Sequence, residues 1–277
     1  MFVYVNSEMV KEEDAKVSVF DHGLVTGDGV FETIAVYQGR PFALLRHLRR
    51  LKRSALGLMI QEPDLVEMET AVDLVVSQNK LKEGKVRVTY TAGQAGLSSD
   101  RSFKSPSVVV ACESCNFGNG TTTKVTVAPW LKNERGALSG LKTISYAENV
   151  LALAFAQEKG GSEAIFQNLN GDLCEGTGSN VFVVWNDEIV TPPLSDGPLA
   201  GITRELVLEK IGGIERTIPM EIFQSKEVTE VFLTSTTREI QGVVAVDEHQ
   251  ISKGVIGPIT LEVSEAFEKL KIESSNL

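Results

Sequence analysis

Asn116-Phe-Gly-Asn-Gly-Thr-Thr-Thr123 separates two stretches of different character. Glycine, asparagine and threonine offer almost nothing to bury, which marks an inter-domain linker. Before it, residues 1–115 read as strands and hairpins interrupted by two helices. Phe2 to Val5 ends at the turn pair Asn6-Ser7, and Phe31 to Tyr37 ends at Gln38-Gly39. Leu44, Leu48, Leu51, Ala55 and Leu58 recur at helical spacing. A second helix begins near Pro63-Asp64, because proline suits a first turn. Lys85 to Thr91 alternates as a strand, and Ser107 to Ala111 is a continuous apolar one. After the linker, residues 124–277 mix helices and strands. Helices are expected over Ala147 to Lys159, stopped by Gly160-Gly161, over Thr203 to Ile211, stopped by Gly212-Gly213, and over Ile259 to Leu270. Strands are expected at Glu163 to Gln167, Val181 to Val184, Ile189 to Val190, Glu230 to Leu233 and Val243 to Val246, with a hairpin turn at Asn170-Gly171. The expected class is α+β in two domains, 1–115 and 124–277, joined by 116–123.

Bulk properties narrow the function. The chain has 277 residues, 42% hydrophobic and 23% charged, enough apolar material for a proper core. Its net charge of −10, from 27 basic and 37 acidic residues, opposes nucleic acid as a general partner. No apolar run has the length of a membrane span, and Met1-Phe-Val-Tyr-Val-Asn6 does not read as a signal peptide. A cytoplasmic setting is expected, and three cysteines, an odd and low count, fit a reducing compartment. Cys112-Glu-Ser-Cys115 is formally a C-x-x-C, but there is no second ligand pair and the chain has only three histidines. No metal site is expected.

Three segments and one lysine carry candidate chemistry. Gly201-Ile-Thr-Arg204 opens a helix, whose free N–H groups and dipole suit a phosphate. Taken alone it is also an ordinary threonine cap. Thr234-Ser-Thr-Thr237 places a run of hydroxyls at a strand end, able to bind an oxyanion or simply to turn the chain. Glu175-Gly-Thr-Gly-Ser-Asn180 sets a carboxylate before a small-residue turn where backbone can approach a ligand. It is neither a P-loop nor a dinucleotide fingerprint. Lys142, in Gly140-Leu-Lys-Thr-Ile144, lies in an apolar setting that would lower its pKa and make it a usable amine.

Together, and in this order, these segments resemble class IV aminotransferases, the group that includes branched-chain aminotransferases, D-amino-acid aminotransferases and aminodeoxychorismate lyases. The resemblance covers nearly the whole chain. It runs through Asp21-His-Gly-Leu-Val-Thr-Gly-Asp-Gly-Val-Phe-Glu32, Phe42-Ala-Leu-Leu-Arg-His-Leu-Arg-Arg-Leu51 and Leu141-Lys-Thr-Ile-Ser-Tyr146 with Glu148-Asn149. It continues through Glu175-Gly-Thr-Gly-Ser-Asn-Val-Phe182, Gly201-Ile-Thr-Arg204 and Phe232-Leu-Thr-Ser-Thr-Thr-Arg-Glu-Ile240. It implies a D-amino-acid-aminotransferase-like fold (pyridoxal-phosphate fold type IV), with pyridoxal 5′-phosphate in the inter-domain cleft. Lys142 would form the Schiff base and move a proton during the reaction. Glu175 would pair with the pyridine nitrogen, and Tyr146 would bond the 3′-oxygen. Arg50, Ile202, Thr203, Ser235 and Thr236 would hold the phosphate. Phe31 and Arg87 match positions lining the substrate side, and amides near Thr236 and Thr237 would receive a substrate carboxylate. A homodimer is implied as well.

The substrate class is bounded by what differs. D-amino-acid members trap the α-carboxylate with a tyrosine and an Arg-x-His, and the matching positions here are Thr26, Leu97 and Ser99. Branched-chain members carry Tyr-x-Arg, of which Lys85-Val-Arg87 keeps the arginine. The expected reaction is ping-pong transamination between an amino acid, or a primary amine, and a keto acid. The same residues leave open a lyase that releases pyruvate from aminodeoxychorismate, and a cofactor-binding protein with little turnover.

Overall fold

Turn residues divide the first part of the chain into a meander. Asn6 and Ser7 both take positive φ, 48° and 71°, and fold β1 (Phe2–Val5) back on β2 (Glu8–Lys11). After the one-turn helix α1 (His22–Val25), Gln38 and Gly39 again take positive φ, closing β3 (Gly29–Tyr37) onto β4 (Arg40–Pro41). Helices α2 (Leu44–Gly57) and α3 (Leu65–Gln78) follow, then β5 (Gly84–Thr91) and β6 (Ser107–Glu113). Asp64 caps α3 by accepting from the N–H of Val66 and Glu67. The six strands form one antiparallel sheet in the order β2-β1-β6-β5-β3-β4. Apolar residues of β3, β5 and β6 (Val30, Ile34, Val86, Val88, Val110) form one core with Leu48, Leu51 and Ala55 of α2 and Met68, Val72 and Val75 of α3. Each large side chain fully buried there stabilises the fold by about 2 kcal/mol.

This computed structural model describes residues 1–101 and 105–273. It comprises two compact units, Met1–Asn116 with Leu141–Tyr146, and Phe117–Gly140 with Ala147–Glu273. The segment bearing Lys142 thus belongs to the first unit, although it lies beyond the linker in sequence. Thr122 and Thr123, read from sequence as linker, begin a strand.

The second unit is built from β7 (Thr122–Val127), α4 (Ala147–Glu158), β8 (Glu163–Gln167), β9 (Leu173–Gly176), β10 (Asn180–Trp185) and β11 (Glu188–Thr191). Then come α5 (Ile202–Leu206), β12 (Ile214–Glu215), β13 (Val228–Ser235), β14 (Glu239–Val246), β15 (His249–Gln250) and α6 (Pro258–Glu273). Its sheet runs β12-β11-β10-β13-β14-β7-β8-β9, with β15 on β14. β7 pairs in parallel with both β14 and β8, and β11 pairs in parallel with β12. Val181, Val183, Val231, Leu233 and Val243 point into one core. Directly opposed Phe182 and Phe232 stack with centroids 4.9 Å apart. The helix expected over Thr203 to Ile211 is α5 followed by a π-turn, Val207–Ile211, ending at Gly212, whose φ is 133°.

Candidate active site

β3 sends alternate residues to the two faces of the first sheet. Val30, Ile34 and Val36 enter the core, and Glu32 lies in phase with them, fully buried. A carboxylate there must be paired, and α2 supplies the partners one turn apart. Arg50 donates from Nε to Oε1 and from Nη2 to Oε2 of Glu32, each at 2.7 Å. His47 Nδ1 donates to Oε2 at 2.7 Å. Burial alone would raise the Glu32 carboxyl. The charge and hydrogen bonds of Arg50, joined by those of His47, outweigh burial and bring it down to about 2. For His47, burial dominates and lowers the pKa against the pull of Glu32, and the charges of Arg50 and Lys142 add to the lowering.

The same stripe of α2 reaches the lysine. His47, Arg50, Ser54 and Gly57 recur every three to four residues. Ser54 Oγ accepts the Lys142 N–H at 3.1 Å. Leu141 lies so close to Gly57 that a Cβ there would sit 2.6 Å from its Cδ2. Lys142 to Ile144 also pair along the start of β3. Phe31 N donates to Lys142 O at 3.0 Å, and Ile144 N donates to Gly29 O at 2.9 Å.

Phe31 alternates with Glu32 and so faces away from α2 and α3. The Nζ of Lys142 lies 4.2 Å from the centre of the Phe31 ring and 5.9 Å from that of Tyr146. The two rings meet edge to face, 5.4 Å between centroids. Arg87 of β5 lays its guanidinium 3.7 Å from the Phe31 centre and donates from Nε to Thr89 Oγ1 at 3.3 Å. Burial lowers the Arg87 pKa, with Tyr146 opposing. Among the described residues no carboxylate forms a salt bridge with it.

In the second unit, Glu175 is buried near the end of β9. Its Oε1 accepts from Lys132 Nζ, and its Oε2 accepts from Leu199 N at 2.8 Å. Burial is the largest influence on Lys132 and lowers its pKa, but Glu175 and other nearby anionic groups raise it further, so the net shift is upward. Asn180 Nδ2 donates to Leu199 O at 2.8 Å. Its Oδ1 occupies the space a Cβ on residue 201 would need, so Gly201 is required for this approach. Gly201 is the N-cap of α5 and has no side chain to satisfy the first N–H groups, those of buried Ile202 and Thr203. Where β13 turns into β14, Ser235 Oγ accepts from Arg238 N at 3.0 Å, and Thr237 O accepts from Gly118 N at 2.9 Å. Thr234 Oγ1 is buried there without a hydrogen-bond partner among the described residues.

The first unit therefore gathers Lys142, Tyr146, Phe31 and Arg87, with Arg50 linked to the lysine segment through α2. The second gathers Glu175, Ile202 and Thr203 around Leu199, Asn180 and Gly201. Ser235, Thr236 and Thr237 stand together at one strand end. Of the residues matched to the carboxylate trap, Thr26 donates from Oγ1 to His22 O at 2.9 Å, and Leu97 is exposed beside Gly96, whose carbonyl lies 3.0 Å from His22 Nε2. The pairing of Glu32 with His47, and the parts played by Ser54, Lys132, Leu199 and Glu163, do not stand out in the sequence. A signal existed for the first pair: a carboxylate in core phase on an apolar strand, and His47 three residues before Arg50. Nothing local marks Lys132 or Leu199.

Known proteins share this architecture from end to end. Over 280 residues the chain is 34% identical to a protein of Methanocaldococcus jannaschii provisionally named a branched-chain-amino-acid aminotransferase, covering 98% of this chain and 96% of that one. It is 32% identical to a D-alanine aminotransferase of Staphylococcus aureus, covering 99% of each. The branched-chain amino acid aminotransferase of Escherichia coli superposes with a TM-score of 0.91 at 28% identity, covering 97% of this chain and 94% of that one. The family model described as amino-transferase class IV matches residues 29–246, from the first residue of β3 to the last of β14. Across both units, then, the chain belongs to the class IV aminotransferases, a pyridoxal-phosphate-dependent family.

Proposed function

We propose that the protein is a transaminase that moves an amino group between an amino acid, or a primary amine, and a keto acid by a ping-pong route, with Lys142 as its catalytic amine. One arrangement carries this reading: the Lys142 amine and the Tyr146 phenol lie together around Phe31 on the face of the first sheet opposite α2 and α3.

The residues fit pyridoxal 5′-phosphate. A carboxylate has about four acceptor directions, so Lys132 and Leu199 leave Glu175 able to accept an N–H from a ring nitrogen. Gly201 and the unpartnered Thr234 hydroxyl are the kind of close, donor-rich surface a phosphate needs. When bound, the cofactor supplies an aldehyde that reacts with amines and a ring that takes up an electron pair when a Cα–H bond breaks. Lys142 would hold it through Nζ and then, as a free amine, carry the proton taken from the substrate's Cα. Glu175 would keep the ring nitrogen protonated, and Tyr146 would bond the 3′-oxygen. Arg50, fixed in plane by Glu32, would hold the phosphate together with the N–H groups of Ile202 and Thr203 and the hydroxyls of Ser235 and Thr236. Phe31 and Arg87 would line the substrate side. A substrate carboxylate would pair with Arg87, which forms no salt bridge with a carboxylate among the described residues, and the amide of Thr237 would receive another.

Two copies would pair. Val17, Val19 and Phe20 are exposed on the segment leading into α1, Leu24 is exposed within α1, and Leu97 is exposed on the loop bonded to that segment through Ala95 N and Phe20 O. Light scattering tests this as a mass of twice 30.1 kDa.

The decisive experiment is a visible spectrum of the purified protein, titrated with L- and D-amino acids one at a time, and then with a keto acid. A cofactor band lost with a donor and restored by a keto acid supports the transaminase. A band indifferent to every donor, in a protein that releases pyruvate from aminodeoxychorismate, moves the assignment to a lyase. Indifference to both leaves a binding protein.

A further inference from the structure

Glu163, at the start of β8, is buried and lies outside every cofactor contact proposed above. Its carboxylate is saturated from two directions. Oε1 accepts from Thr177 N at 3.1 Å, from Thr177 Oγ1, and from Ala164 N at 3.2 Å. Oε2 accepts from Ser179 Oγ at 2.9 Å and pairs with Arg238 Nε at 3.3 Å. Thr177 and Ser179 belong to the turn between Glu175 and Asn180. Gly176 allows that turn to close, since a Cβ there would collide with Ser179 Oγ. Arg238 belongs to the turn that presents Ser235, Thr236 and Thr237. It is fixed at every nitrogen: the main-chain N donates to Ser235 Oγ at 3.0 Å, Nη1 donates to Gln241 Oε1 at 2.5 Å, and Nη2 donates to Ser162 O at 2.6 Å. One buried carboxylate therefore ties together two turns that are far apart in sequence.

We propose that Glu163 is a positioning residue that, through its pair with Arg238, holds the Ser235–Thr237 turn in register with the Glu175–Asn180 turn and thereby sets how strongly the cofactor's phosphate is gripped. This rests on the reading of Ser235 and Thr236 as phosphate contacts and of Glu175 as the ring-nitrogen partner. Without the Glu163 charge, Arg238 loses its only carboxylate among the described residues. The bonds that Thr237 O keeps with Gly118 N, and Arg238 with Ser162 and Gln241, are neutral. The ring side loses less, because Glu175 keeps Lys132 and Leu199.

The test compares pyridoxal 5′-phosphate with pyridoxal, which lacks the phosphate. Dissociation constants of both for the purified full-length protein are read from quenching of its own tryptophans. General loosening of the fold weakens both ligands alike, so their ratio isolates the grip on phosphate. In Glu163→Gln the preference for the phosphorylated form should fall by about tenfold, the scale of one charge-assisted interaction. Arg238→Gln, at the more accessible end of the pair, should give the same fall, and it keeps the test open should Glu163→Gln not fold. The double variant should fall no further than either single one. An unchanged ratio in Arg238→Gln, or two falls that multiply in the double variant, overturns the proposal while leaving the transaminase reading intact. If the unaltered protein binds neither ligand, both readings fail together.

Discussion

Replacing Glu32 with glutamine isolates the charge at the centre of the first unit. The carboxyl is brought from 4.5 to about 2 by Arg50 and His47. At about 1.4 kcal/mol per pH unit, that corresponds to roughly 3 kcal/mol of stability at neutral pH. Breaking a buried ion pair from one side costs a similar amount, about 3–5 kcal/mol, because the remaining guanidinium stays buried without its counter-charge. Glutamine keeps the shape but offers one oxygen where Arg50 needs two. The folded value lies below the unfolded one, so the contribution is complete above about pH 5 and disappears as pH falls from 4.5 toward 2. His47 adds to the acid sensitivity: its folded value is also lowered, so the stability it contributes is present above pH 6.5 and is lost below it. The two units need separate probes. Both tryptophans, Trp130 and Trp185, lie in the second unit. Hydrogen exchange of amides in 29–57 reports the first, and tryptophan fluorescence during urea unfolding reports the second. Glu32→Gln should lower the opening free energy of 29–57 by about 3 kcal/mol at pH 7 and by roughly half of that at pH 3. Equal opening energies at pH 7, or a difference that persists undiminished at pH 3, would refute the argument.

Three further outcomes follow from the candidate site. Lys142→Ala should remove the visible cofactor band and turnover together, and a variant with ordinary turnover would sink the central assignment. Glu175→Gln should slow loss of the substrate's Cα proton by roughly a hundredfold or more, the scale for removing a preorganised electrostatic partner, while cofactor affinity falls less. Substrate deuterated at Cα gives the readout, and a large loss of cofactor with an unchanged rate per bound cofactor contradicts the ring-pairing role. Arg87→Met should raise KM for carboxylate-rich acceptors by about tenfold or more with a smaller change in kcat, whereas equal effects on acids and uncharged amines would remove Arg87 from substrate recognition.

Much of this architecture was legible because local signals agreed with one another. The apolar stripe from Leu44 to Leu58, the helix start near Pro63-Asp64 and the turns at Asn6-Ser7 and Gln38-Gly39 all speak for themselves, although Pro63 precedes the Asp64 cap and does not lie in the first turn. Elements that depend on distant partners did not. β12 and β15 are two residues long and exist only because neighbouring strands pair with them. Residues 141–146 join the first unit because Ser54, Gly57 and the start of β3 receive them, and no composition shift marks that return. The chemistry divides in the same way. Lys142, Glu175 and Gly201 sit in recognisable motifs, whereas Lys132 and Leu199 acquire meaning only once the fold brings them to Glu175.

The Glu32–Arg50–His47 cluster is poorly explained by stability alone. Buried ion pairs often stabilise no more than well-packed apolar residues of the same volume, and the neighbouring inward positions of β3 are Val30, Ile34 and Val36. What the charges add is direction. Two parallel hydrogen bonds fix the plane of the Arg50 guanidinium, as no apolar contact could. One turn further along α2, Ser54 and then Gly57 fix the backbone that carries Lys142. One rigid helix therefore sets the aim of both a guanidinium and an amine, which a pair of separate loops would hold less accurately. On this argument Glu32→Gln should do more than loosen the first unit. At pH 7, and under conditions where the unit remains folded, it should also weaken phosphate-dependent cofactor binding, and it should do so while Lys142 still reacts with pyridoxal.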